Sequence, residues 1–124
     1  MHIISRWQKL ASLPLSENVM MLLKNELLLP FEQDESVIST FWEEPGVTLI
    51  YIEPNDTPEM IADTWLSAVL WAIDNPEFVI RLTSDYYLML SVTDDSGAGI
   101  YLLFQSECPL KGITQLVNIA ESSI

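Results

Sequence analysis

His2 is the only histidine in the chain and Cys108 the only cysteine; the remaining groups able to do acid–base or metal chemistry are eighteen Asp and Glu. An imidazole could serve as general base for a serine. A Ser-His-Asp arrangement would rest entirely on His2, which lies beside the chain start, where backbone tends to fray. A zinc site would have to be assembled mostly from carboxylates, an uncommon donor set for that ion. Paired carboxylates hydrolyse glycosides. With so many acids, however, some pair falls at any chosen separation, so spacing carries no information. Asp94-Asp95-Ser96-Gly97 begins like a calcium loop but lacks the later bidentate Glu at the required distance, and is read as a turn. Cys108 has no partner for an intramolecular bridge and reads as a free thiol of a reducing, cytoplasmic compartment. The four Gly form no phosphate-cradling loop. The residues therefore predict no enzyme, no catalytic or metal-binding residue and no cofactor.

The formal charge is −13, with five Lys and Arg, yet 49% of residues are hydrophobic. Such a charge repels nucleic acid and anionic lipid and favours basic partners. No stretch of eighteen uncharged apolar residues exists to span a membrane, and no secretory signal is visible. The length fits one domain over residues 1–124, large enough to fold on its own hydrophobic core.

Ile3, Ile4, Trp7, Leu10 and Ala11 carry a helical stripe over residues 3–12. Residues 17–29 fit either a helix or two short strands. Val37–Trp42 reads as a strand, and Val47–Ile52 as the strongest one. Asp56-Thr57-Pro58-Glu59 starts a helix that runs to about Ile73 and is stopped by Asn75-Pro76. Phe78–Leu82, Tyr86–Val92 and Ile100–Phe104 read as strands. Pro109 opens a last amphipathic helix. The expected fold is α+β, a mostly antiparallel twisted sheet of about five strands with three helices.

Two elements carry more apolar surface than one core needs. In the middle helix, Ile61, Trp65, Ala68, Val69 and Ala72 form one face. Leu66 and Ile73 widen it on one side, Met60 and Trp71 on the other. Either the helix is deeply embedded or it makes a second contact, most simply with another copy of the chain. In the last hairpin, Tyr86 and Leu88 alternate against Tyr87 and Met89; Ile100, Leu102 and Phe104 alternate against Tyr101 and Leu103. Either the chain covers both sheet faces or a partner does.

Several segments carry a family pattern: Leu10-Ala11-Ser12-Leu13-Pro14-Leu15 after the first helix, Trp65-Leu66-Ser67-Ala68-Val69-Leu70-Trp71-Ala72 in the middle helix, Tyr87-Leu88-Met89-Leu90 and Ile100-Tyr101-Leu102-Leu103-Phe104 in the hairpin. With Cys108-Pro109-Leu110 leading into the last helix, the chain resembles the class I type III secretion chaperones, the Tir-chaperone-like group. The resemblance implies a non-enzymatic cytoplasmic homodimer that binds the N-terminal segment of a secreted effector and keeps it export-competent. It implies a dimer interface on the middle helix, with Met60, Trp65, Leu66, Val69 and Trp71 as candidates. Partner-binding candidates are Ile4, Trp7, Val37, Ile38 and Phe41, joined by Tyr87, Met89, Tyr101 and Leu103 from the hairpin. The alternative class is an acidic inhibitory binder, either a toxin-immunity protein or a DNA-mimic nuclease inhibitor.

Overall fold

The computed structural model describes residues 2–29, 32–54, 70–92, 99–107 and 113–122. Five strands form one mixed sheet in the order β1-β2-β5-β4-β3: β1 (His2–Ile4), β2 (Val47–Ile52), β3 (Val79–Arg81), β4 (Tyr86–Val92) and β5 (Gly99–Gln105). Three neighbouring pairs are antiparallel, while β2 and β5 run parallel with Ile50 opposite Leu102. Among the described residues, the longer helices are α1 (Glu17–Leu28), α2 (Glu35–Phe41) and α3 (Ile113–Ser122), and residues 70–74 are also helical. The α+β class and the five-stranded, mostly antiparallel sheet are as the sequence predicts; the parallel pair is new.

The first expected helix is instead a strand followed by a 3-10 helix. Residues 2–4 pair with β2, His2 opposite Tyr51, and the chain then turns into a 3-10 helix over Trp7–Ser12. Trp7, Leu10 and Leu13 are buried. Their spacing of three suits the three residues per turn of a 3-10 helix, which puts them on one side. The β-branched Ile3 and Ile4 favour the strand.

The ambiguous residues 17–29 are helical. Ser16 caps α1, its Oγ accepting from the Val19 N–H at 3.3 Å, and Val19, Leu23 and Leu27 bury one stripe at four-residue spacing. After the helix, Glu32 and Gln33 adopt positive φ of 55° and 65°, a left-handed geometry that costs an L-residue roughly 1 kcal/mol. Their N–H groups donate to Leu29 O and Leu28 O, satisfying carbonyls at the helix end as the chain reverses.

The expected strand over Val37–Trp42 is also corrected. It forms α2, followed by a π-type turn over Trp42–Gly46. Asp34 decides this. Its Oδ1 accepts from the Ser36 N–H at 3.0 Å, the Val37 N–H at 3.4 Å and the Ser36 hydroxyl at 2.7 Å, a full N-cap. Ile38 and Trp42, four residues apart, are then both buried. Gln8 Nε2 donates to Ser39 Oγ and ties the 3-10 helix to α2.

Both sheet faces are covered by this chain. On one, Leu49, Tyr51, Leu88 and Leu103 pack with Trp7, Leu23, Ile38 and Trp42 of the N-terminal helices. On the other, Ile52, Val79, Met89, Leu102 and Phe104 pack with Ala72 and with Leu116 and Ala120 of α3. The strands are thus apolar on alternate residues in both directions because each face meets a helical layer. Trp42 sits at the centre of the first layer, its ring edge-to-face with Trp7 at 5.5 Å and 6.0 Å from Tyr101.

Candidate functional site

The nearest approach to a chemical constellation lies at the end of β1. His2 Nε2 is 2.7 Å from Glu53 Oε1, and its ring stacks on Tyr51 at 5.9 Å. Gln105 Nε2 donates to the Tyr51 hydroxyl at 2.9 Å and reaches the Tyr86 hydroxyl at 3.4 Å. Burial pushes the Tyr51 phenol up to about 12, so it stays protonated at neutral pH and offers neither base nor nucleophile. His2 is the first residue of β1, paired opposite Tyr51, and these contacts join the edge strand to β2. Among the described residues, no three His, Cys, Asp or Glu stand close enough to hold a metal ion, and no helix is long and apolar enough to cross a membrane.

Most of the expected partner-binding residues are core residues. Ile4, Trp7, Ile38, Tyr87, Met89 and Leu103 are all buried within this chain. The physical reason is the two-sided cover: Trp7 and Ile38 point inward from the N-terminal helices and pack with Ile4 and Leu103 of the sheet, while Ala72 and α3 pack with Tyr87 and Met89. Tyr87 also donates a 3.0 Å hydrogen bond to Glu121 of α3, and burial raises its hydroxyl pKa. Tyr101 is half-buried beneath the first layer, with burial likewise raising its pKa. Of the dimer candidates, Met60, Trp65, Leu66 and Val69 lie outside the described residues. Trp71 is half-buried and packs against Phe78 at 5.2 Å. Ala72 beside it faces the core, Leu70 is exposed, and Asn75 Nδ2 closes the helix end on Trp71 O at 2.8 Å.

Among the described residues, large apolar side chains are exposed at Ile3 of β1, at Leu70 and Phe78, and on the outer side of the α1–α2 layer. Val37 is 48% exposed, Met21 54% and Leu29 62%. Two depressions are lined by residues of this layer. One, of about 450 Å³, has an apolar lining of Ala11, Leu15, Met20, Met21 and Leu28, with Glu17, Lys24, Asn25 and Glu35 completing it. The other, of about 470 Å³, is lined by Val37, Phe41 and Thr40 with Ser36 and Glu44. Glu35 of the first and Ser36 of the second are consecutive at the start of α2. A third depression, polar and lined by Ser5, Arg6, Glu43 and Thr48 among others, lies where β1 leaves the sheet.

Val37 and Phe41 are thus the two sequence candidates that the fold leaves at an accessible apolar site. Met20, Met21 and Leu15 are not among the predicted residues. Their signal is in the Met20-Met21-Leu22-Leu23 run, which on a helix must cover more than one side. It becomes legible only once residues 17–29 are known to be helical. No protein-family model, curated protein or solved structure matches this chain.

Proposed function

We propose that this chain is a non-enzymatic binding protein that holds a segment of another polypeptide on its α1–α2 face, as a cytoplasmic homodimeric chaperone of the type III secretion kind does for the N-terminal segment of a secreted effector. The observation that carries the reading is the two apolar depressions lined by residues of α1 and α2, on a layer whose inner side packs on the sheet. Apolar surface left open beside a complete core is what an interaction site requires. Methionines in the first depression suit varied apolar side chains, because their stems are flexible and their sulfur polarizable. The net charge of −13 keeps such a surface from self-association.

The test is co-purification with the polypeptide encoded beside this gene, followed by titration calorimetry with its isolated N-terminal segment. The expected result is a complex with that segment that weakens only mildly between low and high salt and is impaired by Val37→Glu. Binding confined to a folded catalytic domain, with steep loss in salt, would instead support an acidic inhibitor. The exposed carboxylates of Asp34, Glu35, Glu43 and Glu44 at the two ends of α2 favour that second reading. Absence of any complex removes the chaperone reading.

A further inference from the structure

We infer that the segment held at the α1–α2 face is a basic amphipathic helix rather than an added strand. This inference rests on the reading of that face as a polypeptide-binding site. Its first support is the location of the depressions. They lie on the helical layer, with their linings drawn from the 3-10 helix, α1 and α2 and their connections. The backbone groups of helix interiors are already bonded within each helix. A strand laid here would find no ladder to join and would press its own unpaired N–H and C=O groups onto Met20, Met21, Val37 and Phe41. The sheet edges that could accept a strand, β1 and β3, lie at the ends of the strand order and not in this lining. A helix brings its backbone bonds with it and presents apolar anchors at i, i+3, i+4 and i+7.

The second support is charge. Glu17 and Glu35 line the first depression and Glu44 the second, with Lys24 the one cation among the described lining residues. A helix with Lys or Arg on its polar face meets the carboxylates of these linings, on a body of charge −13. An acidic segment meets repulsion in the same place.

Three synthetic peptides of roughly 18 residues, long enough to be helical when bound, test this by fluorescence anisotropy. One places Leu at helical spacing among Lys. The second has the same Leu and Lys in strict alternation. The third has the helical pattern with Glu for Lys. The helical basic peptide is expected to bind at least about tenfold more tightly than either of the others, gaining helical circular dichroism on binding. Met21→Ser with Val37→Ser is expected to remove most of that preference; both residues are exposed, and unchanged thermal melting verifies that the variant is folded. Glu17→Gln with Glu35→Gln should weaken binding several-fold at low salt and little at high salt. Equal binding of the alternating isomer, or a preference unmoved by the Met21 and Val37 changes, overturns the helical mode at this face. A natural client segment that still binds at this face, without gaining helicity, would then leave the polypeptide-binding reading standing. Loss of both kinds of binding sinks the two together.

Discussion

Helices α1 and α3 pack on opposite faces of one sheet and have opposite outer sides. Leu116 and Ala120 of α3 are buried, and Thr114, Gln115, Asn118 and Glu121 face solvent. This is the pattern of a helix with one apolar stripe and one contact to make. Helix α1 buries Val19, Leu23 and Leu27 equally well, yet carries Met21 on its outer side, 54% exposed. Its neighbour α2 does the same with Val37. Met20 and Phe41 pack partly against the core that Trp7, Leu23, Ile38 and Trp42 close, whereas Met21 and Val37 take no part in it. Among the described residues, α1 and α2 expose Met21 and Val37, whereas the exposed positions of α3 are all polar.

The comparison breaks first if the two layers do not contribute alike to stability. Leu23→Ala and Leu116→Ala each remove a fully buried side chain, and each is expected to cost about 2–5 kcal/mol by chemical denaturation. A loss below about 1 kcal/mol at Leu23 alone would mean that α1 is loosely held and its exposed residues are merely unpacked. A smaller effect on both faces comes at alkaline pH. Tyr51 and Tyr101 belong to the α1–α2 side of the core and Tyr87 to the α3 side, and burial raises all three hydroxyls. The folded pKa lies above the unfolded one, so the stability they contribute is intact below the ordinary tyrosine value of 10.0 and is lost as pH rises through the folded value, about 12 for Tyr51. Phenolate absorbance at 295 nm should therefore lag that of free tyrosine and rise together with unfolding, and Tyr51→Phe should blunt the loss.

The caps of the N-terminal layer sharpen the comparison further. Ser16→Ala is expected to cost about 1 kcal/mol, read from the denaturation midpoint. At Asp34, hydrogen bonds from the Ser36 hydroxyl and the Val37 and Ser36 N–H groups hold the carboxyl below its usual 3.8. Its contribution is present above pH 3.8 and is lost as pH falls through the folded value. Asp34→Ala should accordingly destabilise at neutral pH and make progressively less difference in acid. The smallest expected effect is the most diagnostic: Met21→Ser and Val37→Ser should change stability by no more than about 0.5 kcal/mol while weakening partner binding. A large loss of stability would return both residues to the core.

The three longer strands were legible in the residues. Val47–Ile52 is almost entirely β-branched or aromatic, and the last two strands alternate along their length. Residues 37–42 misled because Val, Ile, Thr, Phe and Trp favour a strand when context is absent. Three hydrogen bonds to Asp34 and the burial of Ile38 and Trp42 one turn apart outweigh that preference. At the candidate site, Val37 and Phe41 were found through the resemblance. Met20, Met21 and Leu15 were not found, since they become neighbours only after α1 and the 3-10 helix pack together.

Composition and local pattern alone determined the scarcity of catalytic groups, the acidic surface, the α+β class and the alternation of the central strands, because each depends on residue type and near neighbours. Tertiary structure alone decided which apolar residues were surplus. Tyr87, Met89 and Leu103 vanish beneath helices that come from distant parts of the chain, and Met21 and Val37 do not. Whether a side chain is covered depends on what packs over it, and neither spacing nor hydropathy along the chain encodes that directly.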